Sequence, residues 1–361
     1  MATKRNPSFE ILRVIAMLLI VMWHFQIHGI GRPPLGVADT PMKIFNLISF
    51  EFLGSFAKIG TNCYILISGY FLYHTQEKWS KIAKTWAPIF FYSALLYLLF
   101  LCMGQIKYSG EGLFKALTPV YHNTYWFATK YIVLVALAPY LAIVTSNINR
   151  RQHLTLLGVL FVANFSLLLG SYFSDNNSLL WFIFLFYTGG YVRKYGNPNK
   201  KNHFGKLYFL SLALMTLYYQ SRLWDIYNGR VPFRLDYHEN NGIEFIPSFL
   251  LFLWATRLKV KENWFVKLLV RIAPLTFGVY LIHDNVFIRN LLWKQLIPAK
   301  TYYDSWEFVP VMFGSALAIF TICISIDFLR DCLFKWLRIN DRIDSGWETI
   351  KKRRPWMILK K

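Results

Sequence analysis

The stretch FEILRVIAMLLIVMWHFQIHG, residues 9–29, decides the fold, because it is a long and almost entirely apolar run. A membrane-spanning helix needs about 20 mostly apolar residues. Ionisable side chains are costly inside a bilayer and are kept there mainly for function. The stretch nevertheless carries an acid, a base and an imidazole, namely Glu10, Arg13 and His24. It therefore predicts a first membrane helix that also contributes to a polar site.

The composition of the whole chain is that of a membrane protein. Of its 361 residues, 55% are hydrophobic and only 16% are charged, which is more apolar than ordinary soluble domains. The net charge of +21 comes from short basic clusters between apolar runs. Because these clusters do not form one basic patch, we expect membrane lipid as a partner and no nucleic acid. No small-residue cleavage site follows the first run, so it is interpreted as a retained helix.

Ten apolar segments approach or reach the length of a span, and the seventh and eighth are the shortest. They cover residues 9–28, 55–73, 84–103, 125–146, 153–173, 179–193, 207–220, 243–256, 275–293 and 307–329. With a cytoplasmic N-terminus, 27 of the 40 Lys and Arg residues fall on the cytoplasmic side and 11 on the other, as the positive-inside rule requires. We therefore predict an all-α polytopic membrane protein with about ten transmembrane helices and both termini cytoplasmic. Residues 1–329 would form one membrane domain and residues 330–361 a basic cytoplasmic tail.

Two ionisable residues of the first helix share one face. Arg13 and His24 are eleven residues apart, which is three turns plus only about 20°. They are separated by roughly 16 Å along the axis, so Arg13 lies near the cytoplasmic boundary and His24 in the outer half. Glu10, three residues before Arg13, can pair with its guanidinium. Taken singly, Arg13 could snorkel to the headgroups and His24 could be interfacial; together they indicate the wall of a polar cavity.

The two residue types divide the chemistry between them. A neutral imidazole can take a proton from a hydroxyl and return one to a leaving group. Arginine instead holds phosphate or carboxylate with its fork of donors. The pattern favours a phosphate-bearing donor that enters from the cytoplasm and a reaction deeper in the membrane. His28 could extend the same face outward, although a loop histidine is the simpler interpretation.

The spacing of Arg13 and His24 resembles the basic-x10-His motif of acyltransferase family 3, bacterial membrane enzymes that O-acylate surface and extracellular polysaccharides. Further segments match this family in order. They are GTNCYILISGYFL (60–72), KIAKTWAP (81–88), YWFATKYIVLVALAPYL (125–141) and TFGVYLIHDNVFIR (276–289). Two positions depart from the family pattern. Lys81 and Lys84 stand where two arginines are common, and Asn62 stands where the family often has an acid.

The resemblance implies a membrane-bound, acyl-CoA-dependent O-acyltransferase with no permanently bound cofactor and no metal. Acetyl-CoA, or another acyl-CoA, would be the donor substrate. His24 would be the catalytic base or a transient acyl carrier, with Arg13 beside the donor and Glu10 in support. Lys78, Lys81 and Lys84 fall on the cytoplasmic side, where the phosphates of coenzyme A would arrive. Ordinary positive-inside charge explains these three lysines equally well.

The acceptor implied by the resemblance is a hydroxyl of an exopolysaccharide, capsule or other envelope glycan, or of a lipid-linked saccharide. The motif matches assign cavity or acceptor positions to Asn62, Ser68, Trp126, Tyr131, Tyr280 and His283. The aromatic segment 221–242 adds Trp224 and Tyr237, where aromatic faces suit sugars, although a membrane-interface belt has the same composition. His283 could instead form a local pair with Asp284 at a helix end.

Two other classes of function stay open at this point. A transporter or flippase of glycan or lipid-linked precursors would use Glu10, Arg13 and His24 as a pathway or proton relay. A non-catalytic scaffold of an export complex would leave the polar stripe unexplained. For the enzyme we expect a multi-pass location in a bacterial cytoplasmic membrane. A homo-oligomer is one alternative for the assembly of the chain.

Overall fold

A computed structural model describes most of the chain. The described residues are 5–31, 40–75, 79–164, 179–197, 202–221, 223, 228, 230 and 242–353. Within these ranges the regular structure is entirely helical and contains no strand. The predicted all-α class is therefore confirmed.

Sixteen α-helices of the described ranges are numbered here in chain order. They are α1 Pro7–His24, α2 Pro41–Ala57, α3 Gly60–Leu72, α4 Trp79–Cys102, α5 Gly110–Leu117, α6 Trp126–Asn147, α7 Arg150–Asn164, α8 Leu179–Tyr195, α9 Phe204–Gln220, α10 Gly242–Arg257, α11 Trp264–Ile272, α12 Thr276–His283, α13 Val286–Asn290, α14 Ala299–Tyr303, α15 Phe308–Trp336 and α16 Ile339–Arg353. A π-helical turn, Phe25–Ile30, continues α1, and another, Leu291–Leu296, continues α13.

Helix α1 lies at the centre of the bundle. The side chain of Asn6 caps it by accepting a hydrogen bond from the Ser8 amide at 3.1 Å, and proline occupies the first helical position, both of which are start signals. The helix packs against α2, α3, α10, α11, α12 and α15. In the membrane-spanning segment Pro7–Ile30, which is α1 with its π-helical turn, 72% of the most apolar 18 residues are buried inside the bundle. The corresponding share is 33% for α4 and for α15. The helix that carries Arg13 and His24 is therefore an interior helix.

Five helical segments are long and apolar enough to cross a membrane within the described part of the chain. They are Pro7–Ile30, Trp79–Cys102, Trp126–Asn147, Trp264–His283 and Phe308–Trp336. The protein is thus a multi-pass membrane protein. The other five predicted spans fall on helices that are described over 13 to 17 residues, since α3 has 13 and α8 has 17; residues 165–173 of the fifth span lie outside the described residues. The count of ten spans and the cytoplasmic location of both termini stay predictions.

The helix boundaries differ from the apolar runs in several places. The second predicted span, 55–73, is divided by a turn at Lys58 and Ile59, where α2 ends and α3 begins. The ninth, predicted at 275–293, begins instead at Trp264 and ends at His283. Its interior contains a 3-10 turn, Ala273–Leu275, at a proline. Helix α2 was not predicted as a separate helix, because its apolar run is shorter than a membrane span and is followed directly by the apolar run of α3.

The C-terminal part of the bundle is held by a buried ion pair. Asp327 of α15 is fully buried and pairs with Arg330 at 2.7 Å. The hydroxyl of Tyr92 on α4 donates to the same carboxylate at 2.8 Å. A buried charge that is paired and hydrogen-bonded costs much less than an isolated one. Helix α15 runs past residue 330 to Trp336, and α16 follows and packs against α4; the predicted division of the chain at residue 330 stays a prediction.

Helices α3 and α8 approach so closely that only glycine fits between them. A Cβ added to Gly69 of α3 would overlap the carbonyl oxygen of Phe186, and one added to Gly189 of α8 would overlap that of Leu66. Small residues at helix interfaces are how membrane helices gain close packing. The Ser-Gly-aromatic sequence at residues 68–70 therefore has a packing role in addition to any role in the site.

Replacement of Gly69 by alanine is expected to destabilise the protein by about 1–3 kcal/mol, because the backbone of α8 must move to admit the methyl group. Gly158→Ala is the matched control, since Gly158 lies on α7 with open space around its Cα and alanine favours the helix. Thermal unfolding of the purified protein in detergent measures both variants. An unchanged Tm for Gly69→Ala would show that α3 and α8 are not in close contact.

Candidate active site

Two histidines from distant parts of the chain meet inside the bundle. His24 lies at the C-terminal end of α1, and His283 at the C-terminal end of α12. Their ring nitrogens, His24 Nδ1 and His283 Nε2, are 2.8 Å apart. His24 is 6% exposed and His283 is fully buried. The structure therefore joins two residues that the sequence assigned separately to catalysis and to the cavity.

A carboxylate lies directly beside this pair. Asp284 Oδ1 is 3.7 Å from His24 Nδ1, 3.3 Å from His28 Nε2 and 3.6 Å from Arg289 Nε. The backbone carbonyl of Asp284 also accepts a hydrogen bond from Arg289 at 3.2 Å. The interpretation of His283 and Asp284 as a purely local pair is wrong, because both reach residues of the first helix.

His28 belongs to the site as well. It lies in the π-helical turn that continues α1, and its ring centroid is 4.9 Å from that of His24. Its interpretation as a loop histidine is therefore wrong, and the expectation that it extends the His24 face is confirmed. Turns of this kind are frequent at functional sites.

A cavity of about 170 Å³ opens beside His24. Helix α1 supplies one wall of it and α3, α6 and α12 supply the others. Its lining residues are Met17, Ile20, Trp23, His24, Ile27, His28, Ala57, Lys58, Thr61, Tyr64, Trp126, Phe127, Phe277 and Tyr280. Met17 and Ile20 lie between Arg13 and His24 on the predicted stripe, so the cavity follows that stripe toward the Arg13 end.

Aromatic side chains form much of the wall opposite α1. Trp126 and Tyr280 line the cavity, and their predicted role toward an acceptor stays a prediction. The Tyr280 hydroxyl accepts a hydrogen bond from the Phe127 amide at 3.4 Å, and the two rings are 5.6 Å apart. The ring of Tyr131 stacks on that of Phe127 with the ring centroids 5.8 Å apart. The Tyr131 hydroxyl lies 3.3 Å from Ser68 Oγ. Tyr131 and Ser68 therefore support the wall from behind.

Asn62 is directed elsewhere. Its Oδ1 accepts a hydrogen bond from the indole of Trp181 at 2.9 Å, and its amide lies 3.4 Å from Ser248 Oγ. These contacts join α3 to α8 and α10. The neighbouring Thr61, not Asn62, is among the residues that line the cavity.

Arg13, at the end of the site predicted to bind the acyl donor, is held by a few short-range contacts. Arg13 Nη1 is 2.8 Å from Glu10 Oε1, which confirms the predicted pairing, and the Arg13 side chain is 28% exposed. The hydroxyl of Tyr64 lies 3.0 Å from the Arg13 carbonyl oxygen and 2.7 Å from Thr276 Oγ1. Since Tyr64 also lines the cavity, it connects the Arg13 turn to the space beside His24.

Lys81 and Lys84 lie in the first turns of α4. Lys81 bonds to the Thr75 hydroxyl, and Lys81 and Thr75 line a second cavity of about 20 Å³, whereas Lys84 is not among its lining residues. Lys84 pairs with Asp344 of α16 at 2.5 Å. Lys78, Trp224 and Tyr237 lie outside the described residues, so their assignment stays a prediction.

Several residues of the site were not selected from the sequence. Tyr64 and Thr61 are in the matched segment 60–72, where polar side chains among apolar ones were a usable signal. Asp284 and Arg289 follow His283 closely, but their contact with α1 depends on how α12 packs. Lys58 lines the cavity with its ammonium 4.5 Å from the centroid of the Trp23 ring, and a count of charges on either side of a membrane does not identify it as a site residue.

The nitrogens of His24 and His28 and the Asp284 carboxylate lie within 4.8 Å of one another. These are ligand types that metal ions use. The Arg289 guanidinium already places a positive charge beside the same carboxylate, and His24 Nδ1 already has His283 as its partner. We therefore interpret this cluster as a group of charges around the imidazole of His24, which is itself hydrogen-bonded to His283.

The fold and the site together define a membrane protein whose interior contains a cavity lined in part by ionisable side chains. A family model described as an acyltransferase domain matches residues 6–330. The chain belongs to this family, acyltransferase family 3, and is a multi-pass membrane acyltransferase. Searches of curated proteins and of solved structures found no match.

Proposed function

We propose that the protein moves an acetyl group from cytoplasmic acetyl-CoA to a hydroxyl of an exopolysaccharide, a capsule or another envelope glycan, free or lipid-linked. The observation that carries this proposal is the cavity beside His24 in the interior of this acyltransferase-family protein. The imidazole of His24 is hydrogen-bonded there to His283. An imidazole is suited to moving a proton between an acceptor hydroxyl and a thiolate leaving group. The accompanying location is a bacterial cytoplasmic membrane.

In direct transfer, His24 acts as a general base. Its free ring nitrogen takes the proton of the acceptor hydroxyl while the oxygen attacks the thioester carbonyl carbon. The carbon–sulfur bond then breaks, and the thiolate of coenzyme A takes the proton back from His24. The Asp284 carboxylate, 3.7 Å from Nδ1, stabilises the imidazolium between these steps.

In the alternative route, His24 carries the acyl group. The same nitrogen attacks the thioester carbon, the carbon–sulfur bond breaks, and the thiolate acquires a proton from water. The acceptor oxygen then attacks the acyl-imidazole, the carbon–nitrogen bond breaks, and the hydroxyl proton replaces the one taken from water. Both routes require a lone pair on the ring nitrogen that faces the substrate.

The donor would approach from the Arg13 end of the cavity. The Arg13 guanidinium is partly exposed and matches phosphate geometry through its fork of donors. Lys81 and Lys84 add positive charge at the start of α4, and Lys78 precedes them in the sequence. The phosphates of coenzyme A would bind at these groups while its thioester extends along Met17 and Ile20 toward His24.

The acceptor would occupy the outer part of the cavity. Trp23, Trp126 and Tyr280 supply aromatic surface around His24, and such rings present flat apolar faces with polar edges. The C–H faces of a sugar can stack on them while its hydroxyl approaches the imidazole. Trp224 and Tyr237 would extend this surface outward.

The reaction is tested with purified protein in liposomes, given radiolabelled acetyl-CoA and envelope glycan from which esters have been removed by mild base. We expect label on the glycan that mild base releases again, in proportion to the coenzyme A formed. Liposomes with an equal amount of an unrelated membrane protein are the control. Glycan movement across the bilayer without label transfer would instead support the transporter alternative and contradict the proposal.

A further inference from the structure

The contact between His24 and His283 determines where the proton of each ring lies. His283 Nδ1 is 2.6 Å from the carbonyl oxygen of Val279, one turn earlier in α12. A carbonyl oxygen only accepts hydrogen bonds, so this nitrogen carries the hydrogen. A neutral imidazole has one N–H, and His283 Nε2 is therefore an acceptor.

The hydrogen of His24 is located by its bond to His283. Its Nδ1 faces the acceptor nitrogen of His283 at 2.8 Å, so His24 Nδ1 must be the donor of that bond. The remaining nitrogen, His24 Nε2, holds the lone pair. The other assignment would require a doubly protonated His283, which is a cation in a fully buried position and therefore costly.

We infer that His283 is a positioning residue that fixes His24 in the tautomer whose Nε2 is unprotonated. The catalytic consequence rests on the proposed function, because both the base and the acyl-carrier routes need that lone pair. The tautomer itself follows from the hydrogen bonds alone. His283 thus acts through His24 and needs no contact with substrate.

Replacement of His283 tests the role in two ways. A glutamine at this position can accept from His24 with its oxygen and donate to the Val279 carbonyl with its nitrogen, whereas phenylalanine can do neither. We expect His283→Phe to lower kcat about 100-fold with little change in the KM for acetyl-CoA, as for other histidines that lose their orienting partner. His283→Gln should keep kcat within about tenfold of the wild type.

The tautomer is read directly from long-range proton–nitrogen spectra of protein labelled with ¹⁵N-histidine, in detergent. The His24 signals are assigned by their loss in His24→Gln. We expect the wild type and His283→Gln to show a protonated Nδ1 and an unprotonated Nε2 for His24, and His283→Phe to show a mixture. His153→Phe is the control, since His153 is a buried histidine on α7 that bonds to the Tyr187 carbonyl at 3.1 Å and should not affect His24.

The inference is overturned if wild-type His24 carries its hydrogen on Nε2, or if His283→Phe leaves both the His24 tautomer and kcat unchanged. Should His283→Phe fail to fold, the spectra of the wild type and of His283→Gln still decide. The expected tautomers combined with no acetyl transfer would reject the proposed function and support the inference. The two failures are therefore distinguishable.

Discussion

Replacement of His24 by glutamine is expected to lower the rate of acetyl transfer by at least about 100-fold, which is the usual contribution of a general acid–base group. Glutamine has a similar volume and can still bond to His283, but it can neither take up a proton nor carry an acyl group. The initial rate of label transfer by purified protein measures the effect directly. The acetyl content of the surface glycan in cells measures it in the native membrane.

His153→Gln is the matched control for His24→Gln. Both residues are buried histidines with a ring nitrogen in a hydrogen bond, but His153 is bonded to Tyr187 and is not among the residues that line the cavity. Its replacement should leave the transfer rate within a few-fold of the wild type. Wild-type acetylation by a His24→Gln variant present at normal abundance in the membrane would reject any catalytic role of His24.

The central helix was predictable from the sequence because its pattern is local. Helical periodicity alone places Arg13 and His24 on one face, and the structure puts the cavity against the Met17 and Ile20 positions between them. The pairing of Glu10 with Arg13 likewise depends only on a separation of three residues. Such short-range geometry is the same wherever the helix is packed.

The other half of the site depends on packing between distant elements. The contacts of His283 and Asp284 with α1 join residues about 260 positions apart, and no periodicity in either segment specifies them. The motif match placed Asn62 in the cavity group, whereas the turn at Lys58 and Ile59 leaves Thr61 on the cavity side and directs Asn62 to Trp181. His28 was misread because a π-helical turn cannot be recognised from apolar spacing.

Apolar composition likewise predicted where the helices lie more accurately than it predicted the residues at which they begin and end. Each of the ten predicted spans overlaps a described helix, but composition does not show where a turn interrupts an apolar run. The break between α2 and α3 lies inside the predicted run 55–73, and the 3-10 turn Ala273–Leu275 lies where the predicted run 275–293 begins. Helix α11 was missed because Lys267 and Arg271 interrupt its apolar sequence.

Replacement of Arg13 by glutamine is expected to raise the KM for acetyl-CoA about 10- to 100-fold with a much smaller change in kcat. A hydrogen bond to a charged group contributes about 1.5–3 kcal/mol, and the proposed partner is a phosphate of the donor. His24, three turns away, keeps its own contacts. Initial rates over a range of acetyl-CoA concentrations separate KM from kcat, and Arg13→Lys should give an intermediate KM because it retains the charge without the fork.

The variant Arg13→Gln also leaves Glu10 as a buried carboxylate without its partner, since the Glu10 side chain is only 5% exposed, and this should destabilise the protein. The double variant Glu10→Gln/Arg13→Gln removes both charges, so it should regain Tm while its KM stays high. Glu10→Gln alone, which keeps the partly exposed Arg13, should have a nearly normal KM. If the double variant instead recovers a normal KM, Arg13 serves only to neutralise Glu10, and the donor must be held by other groups, of which Lys81 and Lys84 are the first to replace.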